Sequence, residues 1–118
     1  MQILIAEDDE DIRNLLREIL EGEGHTCDVA SDGSDAKEIL AAGKRFGLLI
    51  SDFRMPNMDG MGLLSWCREQ KIHLPVIFLS ASKIFPDQKQ IALSDCFAAF
   101  IRKPMNMDDL LEAIKAAA

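Results

Sequence analysis

The sequence predicts an α/β fold built on a doubly wound, five-stranded parallel sheet, and two observations lead to this prediction. Short apolar runs alternate along the whole chain with segments in which apolar residues recur at helical spacing. The connections between them are short, so each strand is expected to lead into a helix that crosses back to a parallel neighbour. Because such crossovers are right-handed, the strand order 2-1-3-4-5 is favoured.

The predicted strands are residues 2–6, 26–30, 47–51, 76–80 and 97–101. Between and after them, helical segments carry apolar faces that are expected to pack on the sheet. These faces comprise Ile12, Leu15, Leu16, Ile19 and Leu20 in the first helix, Ala36, Ile39 and Leu40 in the second, Leu63, Leu64 and Cys67 in the third, and Met107, Leu110, Leu111 and Ile114 in the last. A weaker helix is predicted over 86–94. No long linker interrupts the pattern, so residues 1–118 are predicted to form one domain.

Composition narrows the functional classes. The 118 residues include 20 acids against 13 Lys and Arg, and the net charge of −7 disfavours nucleic acid or an anionic membrane as the direct partner. No apolar run approaches the ~20 residues that span a bilayer, and Met1 is followed by neither a basic region nor a cleavage site, so we expect a cytoplasmic protein.

The cysteines (Cys27, Cys67 and Cys96) form no C-x-x-C pair, which favours roles as small core residues.

Polar residues lie at or just after the carboxyl ends of four of the five predicted strands. Glu7 and Asp8 come after the first strand, Asp52 after the third, Ser80 ends the fourth, and Lys103 follows the fifth. In a doubly wound sheet the carboxyl ends of the strands form one rim, and the functional site lies there, near the point where the strand order reverses. The sequence therefore predicts that these side chains converge.

Such a group of acids favours a metal and phosphoryl chemistry. Converging carboxylates repel one another, and they must take up protons, move apart or bind a cation. Oxygen ligands without His or Cys suit a hard divalent ion, Mg²⁺ before Zn²⁺, and Mn²⁺ is also possible. Lys103 can then pair with a phosphoryl oxygen, and Asp52, alone at the end of the central strand, is the best candidate to attack phosphorus and form an acyl phosphate.

Each of these residues also has an ordinary structural interpretation. Asp9, Glu10 and Asp11 are acids of the kind that helix N-termini favour, and Asp59 is predicted to cap the third helix. Taken singly, the rim residues would more commonly cap a loop, bond to the backbone or face solvent, and Phe100 would be a core residue. The functional interpretation depends on their occurring together at the ends of adjacent strands.

Four segments, "ILIAEDDEDIRNLL", "ISDFRMPNMDGMGLL", "PVIFLSAS" and "FIRKPMNMDDLLEAI", resemble the receiver domain of two-component response regulators. The resemblance covers essentially the whole chain in the same order, and its most specific parts are D-x-x-M-P-x-M-D-G and the Lys-Pro pair after the fifth strand. It implies a flavodoxin-like (βα)5 fold. It also implies a phosphorylated signalling module rather than an enzyme, one that promotes its own Mg²⁺-dependent phosphotransfer and dephosphorylation.

The resemblance also implies roles for individual residues. Asp52 would accept a phosphoryl group from a phosphohistidine on a sensor histidine kinase or a histidine phosphotransfer protein. Asp8 would bind Mg²⁺ directly and Glu7 through water, with Asp52 and the backbone carbonyl of Arg54 completing the protein ligands. Lys103 would contact the phosphoryl oxygens, and its peptide bond to the following proline is expected to be cis.

Two further residues, Ser80 and Phe100, would be the switch hydroxyl and the switch aromatic that respond to phosphorylation. The output surface would be the fourth and fifth units, acting on a downstream effector protein or on an output domain missing from this chain. The kinase would dock on the first helix, around Asn14, Arg17 and Glu18, and on the loop at Pro104–Asn106. The sequence departs from the usual pattern in having Glu7 where Asp is more common and in lacking a hydroxyl on Phe100.

Three other functions are alternatives to the receiver. A phosphatase with an aspartyl nucleophile needs a second acid two residues later, and Arg54 occupies that position. A flavin-binding module needs a Gly- and hydroxyl-rich loop after the first strand, where the acids of "EDDED" would repel a phosphate. A degenerate receiver acting only as a scaffold has no support, because the full set of rim residues is present.

Overall fold

The molecule is organised around a parallel sheet. A computed structural model describes residues 1–80, 97–103 and 106–117, with the backbone alone described for 97–100 and 102. Its strands are β1 (Gln2–Ala6), β2 (Thr26–Ala30), β3 (Leu48–Asp52), β4 (Val76–Ser80) and β5 (Phe97–Arg102). They are hydrogen-bonded in the order β2-β1-β3-β4-β5, and every pair is parallel. The predicted α/β class is confirmed.

The helices that the structure describes are α1 (Glu10–Gly22), α2 (Gly33–Ala41), α3 (Gly60–Glu69) and α4 (Met107–Ala117). The weaker helix predicted over 86–94, together with Cys96, lies outside the described residues. None of the described helices has both the length and the apolar character needed to cross a membrane.

Helices cover both faces of the sheet and divide the core in two. On one face, Leu49 and Phe78 of the sheet pack with Leu63 of α3. On the other, Ile50 of the sheet packs with buried residues of α1 and α4, including Leu110. Apolar residues that point to opposite faces of one strand therefore belong to different cores, which is why the strands are apolar without interruption.

One predicted core residue is placed wrongly by the sequence reasoning. Leu15 was expected on the inner face of α1, but it is 50% exposed. The buried residues of this helix are Leu16 and Leu20; Ile12 packs partly buried against the same core, and Ile19 is partly buried. These four lie on one stripe, and Leu15, rotated by about 100° from Leu16, lies beyond the edge of that stripe.

Capping side chains fix where the helices begin. Asp9 accepts hydrogen bonds from the backbone N–H groups two and three residues later, at 2.9 and 3.1 Å. Asp59 accepts one from Gly62 at 2.7 Å, and Asn106 accepts one from Asp108 at 2.9 Å. The capping role predicted for Asp59 is confirmed, and the caps at Asp9 and Asp59 start α1 and α3 close to the rim of the sheet.

A glycine beside the rim gives a test of this packing. A Cβ on Gly60 would lie 2.7 Å from a ring carbon of Phe78 and 2.8 Å from the backbone oxygen of Asp52. We therefore expect Gly60→Ala to lower the free energy of unfolding by about 2 kcal/mol. Gly22→Ala is the matched control, because nothing lies within 4 Å of its added carbon, and it should stabilise α1 by up to about 1 kcal/mol. Equal effects of the two changes in urea denaturation would contradict the close approach at Gly60.

Candidate functional site

Three carboxylates meet at the carboxyl edge of the sheet. One oxygen each from Glu7, Asp8 and Asp52 lies within 4.8 Å of the others. Glu7 is completely buried and Asp52 is 7% exposed, whereas Asp8 is open to solvent. The third strand extends one residue further than predicted, so Asp52 is its last residue and pairs in register with Leu79 of β4. The acid therefore belongs to the rigid sheet and not to the loop that follows.

A lysine completes the cluster from the other side. The Nζ atom of Lys103 lies 2.9 Å from Oε2 of Glu7 and 3.0 Å from Oδ1 of Asp52. The backbone N–H of Lys103 donates to the carbonyl of Ser80 at 2.8 Å, which anchors it directly after β5. The ammonium is thus held between two buried carboxylates.

The end of the first strand is fixed by contacts from α1. The Oε1 atom of Glu7 accepts a hydrogen bond from the backbone N–H of Asp9 at 3.2 Å. Arg13 donates from Nη1 to the carbonyl of Glu7 at 3.0 Å. Arg13 is not among the predicted site residues, although its position one turn after the Asp9 cap places it on the side of the helix nearest the strand end.

The electrostatics of the cluster favour a bound cation. Burial, followed by the negative charge of Glu7, raises the pKa of Asp52 to about 7, although Lys103 partly offsets the increase. Burial alone would lower the pKa of Lys103, but hydrogen bonds to Glu7 and Asp52 outweigh it and raise that pKa. One ammonium is too little charge to balance three carboxylates.

The raised pKa predicts how the metal-free protein responds to pH. An unfolded aspartate has a pKa of about 3.9, so the folded protein binds more protons than the unfolded chain between that value and about 7. Its stability should therefore fall by about 2 kcal/mol as the pH rises from about 5 to about 8. Urea denaturation in EDTA measures this, and Asp52→Asn should remove most of the slope. A slope that is equal in the variant would show that other groups cause it.

The chemistry of the donors is that of a magnesium site. Three carboxylate oxygens converge, and within the part of the chain that the structure describes no His or Cys belongs to the cluster. Hard oxygen ligands of this kind are those that Mg²⁺ prefers, and one exposed acid, Asp8, leaves the site accessible from solvent. The residues present therefore fit this ion.

The remaining predicted site residues are placed as follows. Ser80 is buried at the end of β4, next to the backbone of Lys103. Arg54 lies in the loop after β3, and its side chain is exposed. Phe100 lies in β5, and its backbone pairs with that of Phe78 in β4. The side chain of Phe100 and the residue that follows Lys103 are outside the described part of the chain, so the switch aromatic and the cis peptide bond stay predictions.

Comparison with known proteins settles the family. The sequence model described as the response regulator receiver domain matches residues 3–115. The chain belongs to this family. It is 32% identical over 114 residues to the sensor histidine kinase RcsC of Escherichia coli K12, covering 97% of this chain and 12% of that protein. It is 32% identical over 115 residues to the transcriptional regulator NtrC of the same organism, covering 98% and 24%.

Solved receiver structures have the same fold. The response regulator TrrA of Thermotoga maritima, in complex with Mg²⁺-BeF, matches with a TM-score of 0.82 and 30% identity over 99% of this receiver domain and 98% of that chain. The receiver domain of the Francisella response regulator 1452 matches with a TM-score of 0.83 and 30% identity, covering 98% and 95%. As a receiver domain, the chain is a phosphoacceptor module of two-component signalling and not a conventional enzyme.

The curated relatives are much longer than this receiver domain. The chain spans 12% of RcsC, 24% of NtrC, and 50% of the regulatory protein DltR of Streptococcus agalactiae, to which it is 31% identical over 98% of its own length. In these proteins a region similar to this domain is one part of a longer chain. The comparison therefore identifies the module, and the activity of a whole protein is a separate question.

Proposed function

We propose that this single receiver domain, residues 1–118, takes a phosphoryl group from a phosphohistidine onto Asp52 and then changes which partner it binds. The observation that carries the proposal is the position of Asp52. It ends the central strand, lies in a cluster with two other acids, and has an ammonium 3.0 Å from Oδ1. A carboxylate held in this way can act as a nucleophile toward phosphorus.

In the proposed reaction, a carboxylate oxygen of Asp52 attacks the phosphorus of a phosphohistidine. A phosphorus–oxygen bond forms as the phosphorus–nitrogen bond breaks, and the imidazole leaves with the electron pair. Lys103 is placed to stabilise the negative charge on the oxygens of the transferred group. Glu7, Asp8, Asp52 and the carbonyl of Arg54 would hold Mg²⁺, which when bound neutralises charge on the phosphoryl oxygens. Mn²⁺ accepts the same oxygen donors.

The same site supports the loss of the phosphoryl group. Attack by water on phosphorus would regenerate the carboxylate of Asp52 and release inorganic phosphate. The domain would thus promote both its own phosphorylation and its own dephosphorylation, and the balance between them sets the lifetime of the signal. Arg54, two residues beyond Asp52 and exposed, is positioned to influence how water reaches the phosphoryl group.

Phosphorylation would be read out through the part of the fold beside the site. A phosphoryl group adds charge and strong acceptor oxygens at the rim, which favours a different arrangement of neighbouring segments. We propose that Ser80 and Phe100 are the residues that respond to phosphorylation. We also propose that the fold is a complete (βα)5 arrangement, in which a further helix lies between β4 and β5. A shift of a few kcal/mol between two states is enough for this switch.

The proposed partners follow from this chemistry. The phosphoryl donor is a sensor histidine kinase or a histidine phosphotransfer protein, docking on the exposed part of α1 around Asn14, Arg17 and Glu18. The receiver of the signal is a downstream effector protein or an output domain of a longer chain. With a net charge of −7, the domain itself is not expected to bind nucleic acid or anionic membranes. A kinase that uses ATP would place the reaction in the cytoplasm.

Incubation with acetyl phosphate tests the proposal without requiring the partner kinase. Intact-mass measurement should show a labile gain of one phosphoryl group in Mg²⁺ and no gain in EDTA. Asp59→Asn is the matched control, because the amide still caps α3 at the same edge of the domain, and it should be phosphorylated like the wild type. Mg²⁺ binding without any gain of mass would favour the scaffold function instead.

A further inference from the structure

We infer that Asn57 and Asp32 form a clamp that sets the position of the loop after β3, residues 53–59, and thereby the affinity of the site for Mg²⁺. The inference deepens the proposed function and rests on it, since it assumes that the Arg54 carbonyl in this loop is one of the metal ligands. Asn57 touches neither the phosphoryl group nor the ion in this account. It is a positioning residue.

The clamp is a short hydrogen bond between two loops that are far apart in sequence. Nδ2 of Asn57 donates to Oδ2 of Asp32 at 2.7 Å. The other oxygen of Asp32 accepts from the backbone N–H of Asp35, also at 2.7 Å, and so caps α2. These two bonds, the one from Asp35 first, lower the pKa of Asp32. The acceptor is therefore charged at neutral pH and is fixed to the first turn of a helix.

The backbone of Asn57 adopts a conformation that needs support. Its φ is +68°, and the N–H of Met58 donates to the carbonyl of Pro56 at 2.8 Å, closing a three-residue turn around Asn57. Tight turns of this kind with positive φ are rare and strained, although Asn tolerates positive φ better than most residues. A side-chain bond to a fixed carboxylate offsets the strain and selects this turn over alternatives.

A close contact between Gly33 and Met58 also fixes the position of this loop. A Cβ on Gly33, the first residue of α2, would lie 2.1 Å from the carbonyl oxygen of Met58 and 2.8 Å from its carbonyl carbon. The loop thus rests directly on the start of α2, at a place where only glycine leaves room. The hydrogen bond and this contact together attach the middle of the loop to α2.

The loop connects this attachment to the acidic site. It begins immediately after Asp52, and its far end is held where the N–H of Gly60 donates to the carbonyl of Phe53 at 2.9 Å. Arg54 lies between these fixed points, three residues from Asn57. Because Mg²⁺ requires near-ideal octahedral geometry, a small displacement of a carbonyl ligand weakens its binding. Loosening the clamp should therefore affect metal affinity before it moves the carboxylates, because Asp52 belongs to β3 and Glu7 directly follows β1.

Calorimetric titration with Mg²⁺, in the absence of any phosphoryl donor, tests the inference. Asn57→Gly keeps a backbone suited to positive φ but removes the donor, and it should weaken Mg²⁺ binding by about tenfold, as loss of groups that orient metal ligands commonly does. Gly33→Ala, which forces the loop away from α2, should weaken binding by a similar factor without removing any hydrogen-bonding group. In acetyl phosphate assays, Asn57→Gly should raise the Mg²⁺ concentration needed for half-maximal rate and leave the rate at saturating Mg²⁺ close to that of the wild type.

Lys44→Ala is the control, because it removes a comparable exposed contact, the 2.6 Å bond to Asp28, and Lys44 lies beyond the C-terminal end of α2, away from the start of the helix where the clamp is. It should leave the Mg²⁺ affinity unchanged. If Asn57→Gly and Gly33→Ala are less stable in thermal unfolding yet bind Mg²⁺ like the wild type, the clamp is only structural and the inference is wrong. If the wild type itself does not bind Mg²⁺, the proposed function fails and this inference fails with it.

Discussion

Replacing Asp52 by asparagine is expected to abolish phosphorylation and, at the same time, to stabilise the metal-free protein. An amide has no anionic oxygen with which to attack phosphorus, so the phosphoryl gain should fall below detection. The variant should gain stability because burial and the negative charge of Glu7 disfavour the ionised form of Asp52 in the folded state, as its pKa of about 7 indicates. The neutral amide does not carry this unfavourable charge. Near pH 8 the variant should be more stable by about 2 kcal/mol.

The two effects are measured on the same samples, by intact mass after acetyl phosphate treatment and by urea denaturation in EDTA. Their combination excludes unfolding as the reason for lost activity. Saturating Mg²⁺ should stabilise the wild type more than Asp52→Asn, because the variant has lost one of the carboxylates that bind the ion and whose negative charge the ion neutralises. A variant that loses both activity and stability would contradict the electrostatic account of the site.

Replacing Lys103 by methionine should lower both phosphorylation and stability. The ammonium lies 2.9 Å from Glu7 and 3.0 Å from Asp52, and both carboxylates are buried. Its removal leaves them without a counterion, which should cost about 2 kcal/mol of folding free energy near pH 8 in the absence of metal. The transferred phosphoryl group also loses its cationic partner, so the phosphorylation rate should drop by about 100-fold or more.

The pH dependence identifies the cause of the stability loss. Near pH 5 Asp52 is protonated in the folded protein, so the cost of Lys103→Met should shrink to about half or less. Lys115→Met, at an exposed lysine of α4, is the control and should change stability by no more than about 0.5 kcal/mol. An unchanged phosphorylation rate in Lys103→Met would remove this lysine from the proposed mechanism.

The convergence of the acids could be predicted from the sequence because it depends on topology. Parallel strands place their carboxyl ends at one edge, and the strand runs are short and apolar enough to locate to within a residue. The one-residue difference that matters for the site is in β3. Gly47 was expected in the strand and Asp52 after it, but pairing with Leu79 includes Asp52 and gives the acid a rigid backbone.

Other features could not be predicted because they depend on contacts between distant segments. The bond between Asp32 and Asn57 joins residues 25 apart, and Gly33 meets Met58 only because α2 and the loop after β3 pack together. The hydrogen bond from Lys103 to the buried Glu7 likewise joins residues 96 apart in the sequence. Helical periodicity also misplaced Leu15, because this residue lies at the edge of the apolar stripe, where spacing alone does not separate buried from exposed positions.

The measurement that tests the central claim most directly is the location of the phosphoryl group. Reduction of the phosphorylated protein with borohydride converts an acyl-phosphorylated aspartate to homoserine, which peptide mass spectrometry assigns to one position. The account predicts homoserine at position 52 and at no other aspartate, and only in samples that were phosphorylated in Mg²⁺. Homoserine at Asp8 or at another acid, or a phosphoryl group that borohydride does not reduce, would contradict the assignment of Asp52 as the acceptor.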